Sequence, residues 1–174
     1  DFDKKIEDIP EIVKEWYTNP EDKEYLPRMN VYSGKTIKEE IGILKFKIKN
    51  ESNDIEKKFH NNKLSEWRNK LNVYELIGNY KTLNKAAIIV IQASNQNTIS
   101  EYLTILDKTN QGLLELRDEL GLEKFNTRYT QLDLSTLNYQ NIKNAIEEVY
   151  PVKIAPLIIV SPPPEPPPPP RQIN

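Results

Sequence analysis

Two hydrophobic periods run along this chain and divide it into elements. Pro10 follows Asp8 and Ile9 and suits the first position of a helix, after which Val13, Trp16 and Tyr17 share one face. That short helix is expected to end at Thr18-Asn19-Pro20, because Pro20 disfavours helical backbone at Asn19. Residues 20–27 read as a surface loop. Leu44-Lys-Phe-Lys-Ile-Lys49 alternates apolar and lysine in period two, which predicts a strand with one wet face, its lysines discouraging edge-to-edge association. From Asn53 to Leu76 the spacing is helical, with Ile55, Phe59, Leu64, Trp67, Leu71 and Tyr74 on one stripe and Asn61-Asn62 as a candidate break.

Ala86-Ala-Ile-Ile-Val-Ile-Gln92 is apolar at consecutive positions and predicts a central strand covered on both faces. Asn95-Gln96-Asn97 supplies a turn. Thr98-Ile-Ser-Glu101 fits a capping box, in which the Thr hydroxyl and the Glu carboxylate each satisfy a backbone N–H at the helix start. The long helix behind it carries Ile99, Leu103, Leu106, Leu113, Leu116 and Leu120, with Gly121 suited to end it. A shorter helix spans about Tyr139 to Val149, stopped by Pro151. Val152 to Val160 then forms a terminal strand, and Pro156 within it confines it to a sheet edge or interrupts it. The expected fold class is α/β (α+β): a small mixed sheet with helices packed on one face.

Composition narrows the function. With 174 residues and 20.3 kDa, the chain fits one domain plus an appendage. Eight of its 13 prolines lie in Ser161–Pro170, so the body (1–160) is expected to give way to a proline-rich tail (161–174). From Pro162 to Pro170 a polyproline II rod reaches roughly 28 Å at about 3.1 Å per residue. A net charge of −2 argues against a nucleic-acid partner, which would call for a surplus of Lys and Arg. No apolar run approaches the roughly 20 residues that span a bilayer, and the opening Asp1-Phe2-Asp3 lacks the pattern of a signal peptide. The chain is expected to be soluble.

Candidate chemistry is sparse. The chain has no cysteine, so disulfides, thiolate metal sites and thiol nucleophiles are ruled out. His60 is the one histidine; beside Asn61 and Asn62 it reads as a surface residue without companions for a metal. Lys45, Lys47 and Lys49 read as a solvated face rather than an anion site. Trp16 and Trp67 sit on apolar stripes as core anchors. Glu115, Asp118, Glu119 and Glu123 form an exposed acidic face, and the five scattered glycines make no phosphate loop. No enzyme, cofactor or metal is expected. The segment singled out for partner binding is Leu157, Ile158, Ile159 and Val160, whose backbone at a sheet edge can pair with another chain. The adjoining Pro162, Pro163, Pro164, Pro166, Pro167 and Pro168 form a linker, a spacer or a ligand for an aromatic groove.

The order of short segments resembles a known family. Ile12-Val-Lys-Glu-Trp-Tyr-Thr-Asn-Pro20 followed by Tyr25-Leu-Pro27 is similar to the KEFxTNP…LP segment of Bacteroidetes ExbD-type biopolymer-transport proteins. Gly78-Asn-Tyr-Lys81 with Ala87–Asn95 resembles their second strand. Thr98-Ile-Ser-Glu-Tyr-Leu103, Leu114-Glu-Leu-Arg-Asp-Glu-Leu-Gly121 and Lys124-Phe125 resemble their TSYxxYL…NELRDEL…KKFG helix. Ile142–Ile154 resembles their IRxxYPxxIS ending. The resemblance covers about residues 8–27 and 78–155; residues 28–77 look like an insertion, and Asn126 stands where the family has glycine. It implies an ExbD/TolR periplasmic domain of a proton-motive-force-driven inner-membrane motor that energises TonB-dependent transport. The partners implied are a second copy in a homodimer, an ExbB-like pentameric channel and a TonB-like protein, with peptidoglycan a further one for TolR relatives. The family's membrane helix and its proton-handling aspartate have no match here, and the family's proline-rich stretch follows that helix, whereas here it trails the domain. The alternative is a non-enzymatic adaptor that recruits partners through its polyproline rod.

Overall fold

A computed structural model of the chain describes residues 2–94, 98–155 and 158–160, with backbone alone at 2–4, 92–94 and 158–160. The fold is mixed α+β and mostly helical. In chain order the elements are α1 (Phe2–Glu7), α2 (Ile9–Thr18), β1 (Met29–Tyr32), α3 (Gly34–Asn50), α4 (Asp54–Ile77), β2 (Tyr80–Leu83), β3 (Gln92–Ser94), α5 (Ile99–Phe125), a 3-10 turn (Tyr129–Gln131), α6 (Leu137–Val149) and β4 (Ile158–Val160). Instead of one sheet, the described residues form two strand pairs. β1 runs antiparallel to β2, from Met29 opposite Leu83 to Tyr32 opposite Tyr80, and β3 runs parallel to β4.

The second helix, α2, ends where Pro20 requires. Asn19 adopts left-handed backbone (φ 35°), and its buried side chain organises the following loop: Nδ2 donates to the carbonyls of Lys23 and Pro27, and Oδ1 accepts from the Lys23 amide at 2.8 Å. The Thr-Asn-Pro…Leu-Pro spacing thus encodes a loop wrapped around one amide, which satisfies backbone groups that a loop would otherwise leave to water.

The strand expected at Leu44–Lys49 is instead the last part of α3. Ser33 caps that helix by accepting from the Thr36 amide, and Ile37, Ile41 and Leu44 are buried while Ile48 packs partly against them. Those positions lie three or four residues apart, so the helical period governs, and the alternation with lysine is incidental. Phe46, which a strand would have put inside, is 70% exposed. α4 is one continuous helix through Asn61-Asn62 and returns antiparallel to α3, burying Leu64 with Trp67 and Leu71 packed beside it.

α2 lies across α5 at Gly112, where a Cβ would sit 2.6 Å from the Pro10 carbonyl oxygen and 3.0 Å from the Val13 Cβ. Around this crossing Val13, Tyr17, Leu83, Leu113 and Leu116 form one core cluster, with Trp16 at its margin. A second cluster joins Val73, Ile77 and Tyr80 to Leu120 and to Ile142, Ala145, Ile146 and Val149 of α6. The capping box at the start of α5 is formed in both directions: Thr98 Oγ1 accepts from the Glu101 amide, and Glu101 Oε2 accepts from the Thr98 amide at 2.7 Å. Only the second half of the α5 stripe is covered, however, since Ile99 and Leu103 are exposed. Gly121 does not end this helix. It allows Thr127 to approach, whose carbonyl oxygen would lie 2.6 Å from a Cβ there, and the helix stops at Asn126 in left-handed backbone (φ 53°).

Candidate partner-binding site

The segment that leads into β4 is clamped from two sides. Tyr17, fully buried, donates its hydroxyl proton to the Pro151 carbonyl at 2.8 Å and accepts from the Lys153 amide at 3.2 Å. Arg117, also buried, donates from Nε (3.0 Å) and Nη2 (2.7 Å) to the Tyr150 carbonyl. Its guanidinium lies 5.1 Å from the Tyr129 ring centroid, and the Tyr129 hydroxyl donates to Glu147 at 2.6 Å. The clamp meets the hydrogen-bonding demand of Tyr150–Lys153 just after Pro151 has stopped α6. Burial pushes the Tyr17 hydroxyl up to about 12, so it remains a proton donor across the neutral range.

From this root the chain pairs in parallel with the 89–94 segment. The Ile89 amide donates to Lys153 at 2.7 Å, the Ala155 amide donates to Ile89 at 2.8 Å, and β4 then lies beside β3 with Gln92 opposite Ile158 and Ser94 opposite Val160. Among the described residues neither strand has a second neighbour, so each keeps an unpaired edge. The expectation that Ala86–Gln92 is covered on both faces is overturned. Ile91 is buried and Ile89 packs on the α2–α5 cluster, but Ile88 is 56% and Val90 41% exposed. Consecutive apolar residues here mark one inward face and one bare apolar face.

Of the predicted partner-binding residues, Ile158, Ile159 and Val160 form β4, which among the described residues pairs with β3 alone; the expected strand from Val152 is reduced to this segment and a single bridge at Ile154. Leu157 and Pro162, Pro163, Pro164, Pro166, Pro167 and Pro168 lie outside the described residues, as do the Asn95–Asn97 turn and Pro156. Lys45, Lys47 and Lys49 are exposed, on a helix rather than a strand.

The acidic set on α5 is more tied down than a solvated face. Lys14 of α2 reaches Glu115 at 2.6 Å and Glu119 at 3.4 Å, and its hydrogen bond holds the Glu115 carboxyl below the usual carboxylate range. Asp118 accepts from the Thr130 amide and hydroxyl, fastening the 3-10 turn to α5. His60 does have companions: the turn between α3 and α4 brings Glu51 and Glu56 to it. The clamp itself was missed in the sequence. Its signal was Arg117 standing on the buried stripe of α5 between Leu116 and Leu120, a place where a charge must have partners.

A groove of about 660 Å³ separates α4 from α6, lined by Asn69, Asn72, Asn141 and Asn144 with Glu75 and Glu148. Its lining residues include no hydroxyl, thiol or imidazole, and Glu148 is paired with Lys70 at 2.9 Å. No helix among the described residues is long and apolar enough to cross a membrane. No protein-family model, curated protein or solved structure matches this chain.

Proposed function

We propose that this chain is a non-enzymatic coupling domain of the ExbD/TolR type, the periplasmic part of a proton-driven inner-membrane motor. In this reading it takes no cofactor and works by pairing its terminal strand with a neighbour, first of all a second copy of itself. The observation that carries the reading is the incomplete parallel sheet. Parallel strands are ordinarily covered on both faces and flanked by further strands, whereas among the described residues β3 and β4 have no third strand beside them and Ile88 and Val90 are exposed. Pairing β4 with β4 of a second copy about a two-fold axis supplies the missing neighbour and presents the same patch from each side. The segments that resemble ExbD-type proteins carry structural roles in this chain: Thr-Asn-Pro…Leu-Pro wraps a loop on Asn19, and the arginine of Glu-Leu-Arg-Asp-Glu-Leu holds the Tyr150 carbonyl at the root of the terminal segment.

The test has two levels. Light scattering on the purified chain should give a dimer that Ile158→Pro or Val90→Asp converts to monomer; a wild-type monomer, or a dimer indifferent to both changes, would refute the strand-pairing mode. Affinity isolation of the full-length protein from cell membranes should bring down a pentameric polytopic membrane protein and a TonB-like protein. Recovery of neither would refute the motor reading, whatever the oligomeric state.

A further inference from the structure

The α3–α4 turn gathers the chain's one histidine and two carboxylates. Glu51 follows the last residue of α3, and its Oε1 accepts from the Asn53 amide at 2.8 Å, which fixes the carboxylate over the turn. Asn53 caps α4 by accepting from the amides of Ile55 and Glu56. Glu56 and His60 are four residues apart on α4 and therefore project from neighbouring turns of one face. One ligand atom each from Glu51, Glu56 and His60 lies within 4.8 Å of the others. The His60 Nδ1 is shielded from solvent and has no hydrogen-bond partner. Three potential ligand atoms this close together, one of them from an imidazole, can converge on a single cation, which would also offset the charge of the two carboxylates.

We propose that Glu51, Glu56 and His60 bind a first-row transition-metal cation, with Zn2+ the best fit, and that the bound ion ties the end of α3 to the first turns of α4. The donor set selects the metal. One imidazole and two carboxylates suit a small tetrahedral ion that keeps a water in its fourth position, whereas Ca2+ and Mg2+ require six or more oxygen ligands. The site lies on the helical hairpin, in the segment without counterpart in the ExbD-type proteins, and does not depend on the strand-pairing reading.

Because His60 is the only histidine, its ring protons report the site without ambiguity. Calorimetric titration of the full chain with Zn2+ at neutral pH should show one site per chain. The imidazole signals in a proton–carbon NMR spectrum should shift, and an equal concentration of Mg2+ should leave them in place. His60→Gln should weaken Zn2+ binding by at least roughly tenfold, the lower end of what even outer-shell changes cost a metal site, and Glu56→Gln should weaken it too. An unchanged far-ultraviolet circular dichroism spectrum will establish that both variants remain folded. The proposal is overturned if Zn2+ leaves the His60 signals unmoved, if Mg2+ moves them equally, or if folded His60→Gln binds Zn2+ as tightly as the parent.

Discussion

Replacing Tyr17 by Phe removes one oxygen atom from the centre of the clamp and leaves the ring. The ring contacts persist, edge-on to Trp16 at 5.1 Å and to Tyr150 at 6.3 Å between centroids. What is lost is the partner of the Pro151 carbonyl and of the Lys153 amide, both at the root of the terminal strand. A buried group left without its partner costs about 1–3 kcal/mol, so the two together should lower stability by about 2–4 kcal/mol. For a chain of this size that is a fall in Tm of roughly 5–15 °C. An alkaline titration gives an independent reading of the same contact. The Tyr17 hydroxyl is pushed up to about 12 from 10.0 by burial, so above pH 10 the unfolded chain releases this proton before the folded one does. The stability tied to it is intact below pH 10 and is lost as pH rises through 10 to 12, about 2–3 kcal/mol in all. Tyr17→Phe lacks this loss, and its deficit against the parent should narrow over that window. Urea unfolding at pH 7 and at a series of alkaline values measures both effects, and hydrogen exchange should show the Lys153 and Ala155 amides opening faster. A deficit at pH 7 below about 0.5 kcal/mol, within the range of an ordinary surface substitution, would refute the claim that this hydroxyl holds the strand root.

Arg117→Met keeps much of the apolar stem and removes both hydrogen bonds to the Tyr150 carbonyl. Thermal unfolding should show a loss of about 2–4 kcal/mol, because a buried carbonyl is left unpaired and Glu147 loses a nearby positive group. Gly112→Ala places a methyl group 2.6 Å from the Pro10 carbonyl oxygen, which is backbone and cannot swing aside. Pushing α2 off α5 should cost about 1–3 kcal/mol, read as a lower denaturant midpoint. Glu115→Gln removes the main partner of Lys14 at a half-exposed site, worth about 0.5–1 kcal/mol at pH 7. The Glu115 carboxyl is depressed chiefly by that lysine, so its contribution is present above the ordinary carboxylate range and is lost as pH falls through the depressed one. An acid titration of stability should therefore be flatter for Glu115→Gln than for the parent.

Local rules sufficed wherever the deciding groups are close in sequence. The end of α2 at Asn19, the capping box of Thr98 and Glu101 and the helix before Pro151 all follow from backbone geometry within a few residues. The first error came where two periods overlap. Leu44–Lys49 alternates like a strand, but Ile37, Ile41 and Leu44 bury together only as a helix, and the partner that rewards this burial, Leu64 on α4, lies twenty residues further on. Other features belonged wholly to the tertiary structure. Ala86–Ile91 is apolar throughout, but whether its outer face is covered depends on which elements pack over it, and Ile88 and Val90 stay exposed among the described residues. Tyr17 and Pro151, like Lys108 and Glu7, are separated by more than a hundred residues, and no local pattern links such pairs. Arg117 could be marked from sequence as a charge on a buried stripe; that it holds the Tyr150 carbonyl depended on α6 ending beside α5. The sequence alone thus determined the stop at Asn19, the start at Thr98 and the stop before Pro151, since those constraints act through adjacent backbone groups, but not the end of α5, which passes Gly121. Folding decided which apolar face stays bare and which distant groups meet, because both depend on contacts between elements that only the packed chain brings together.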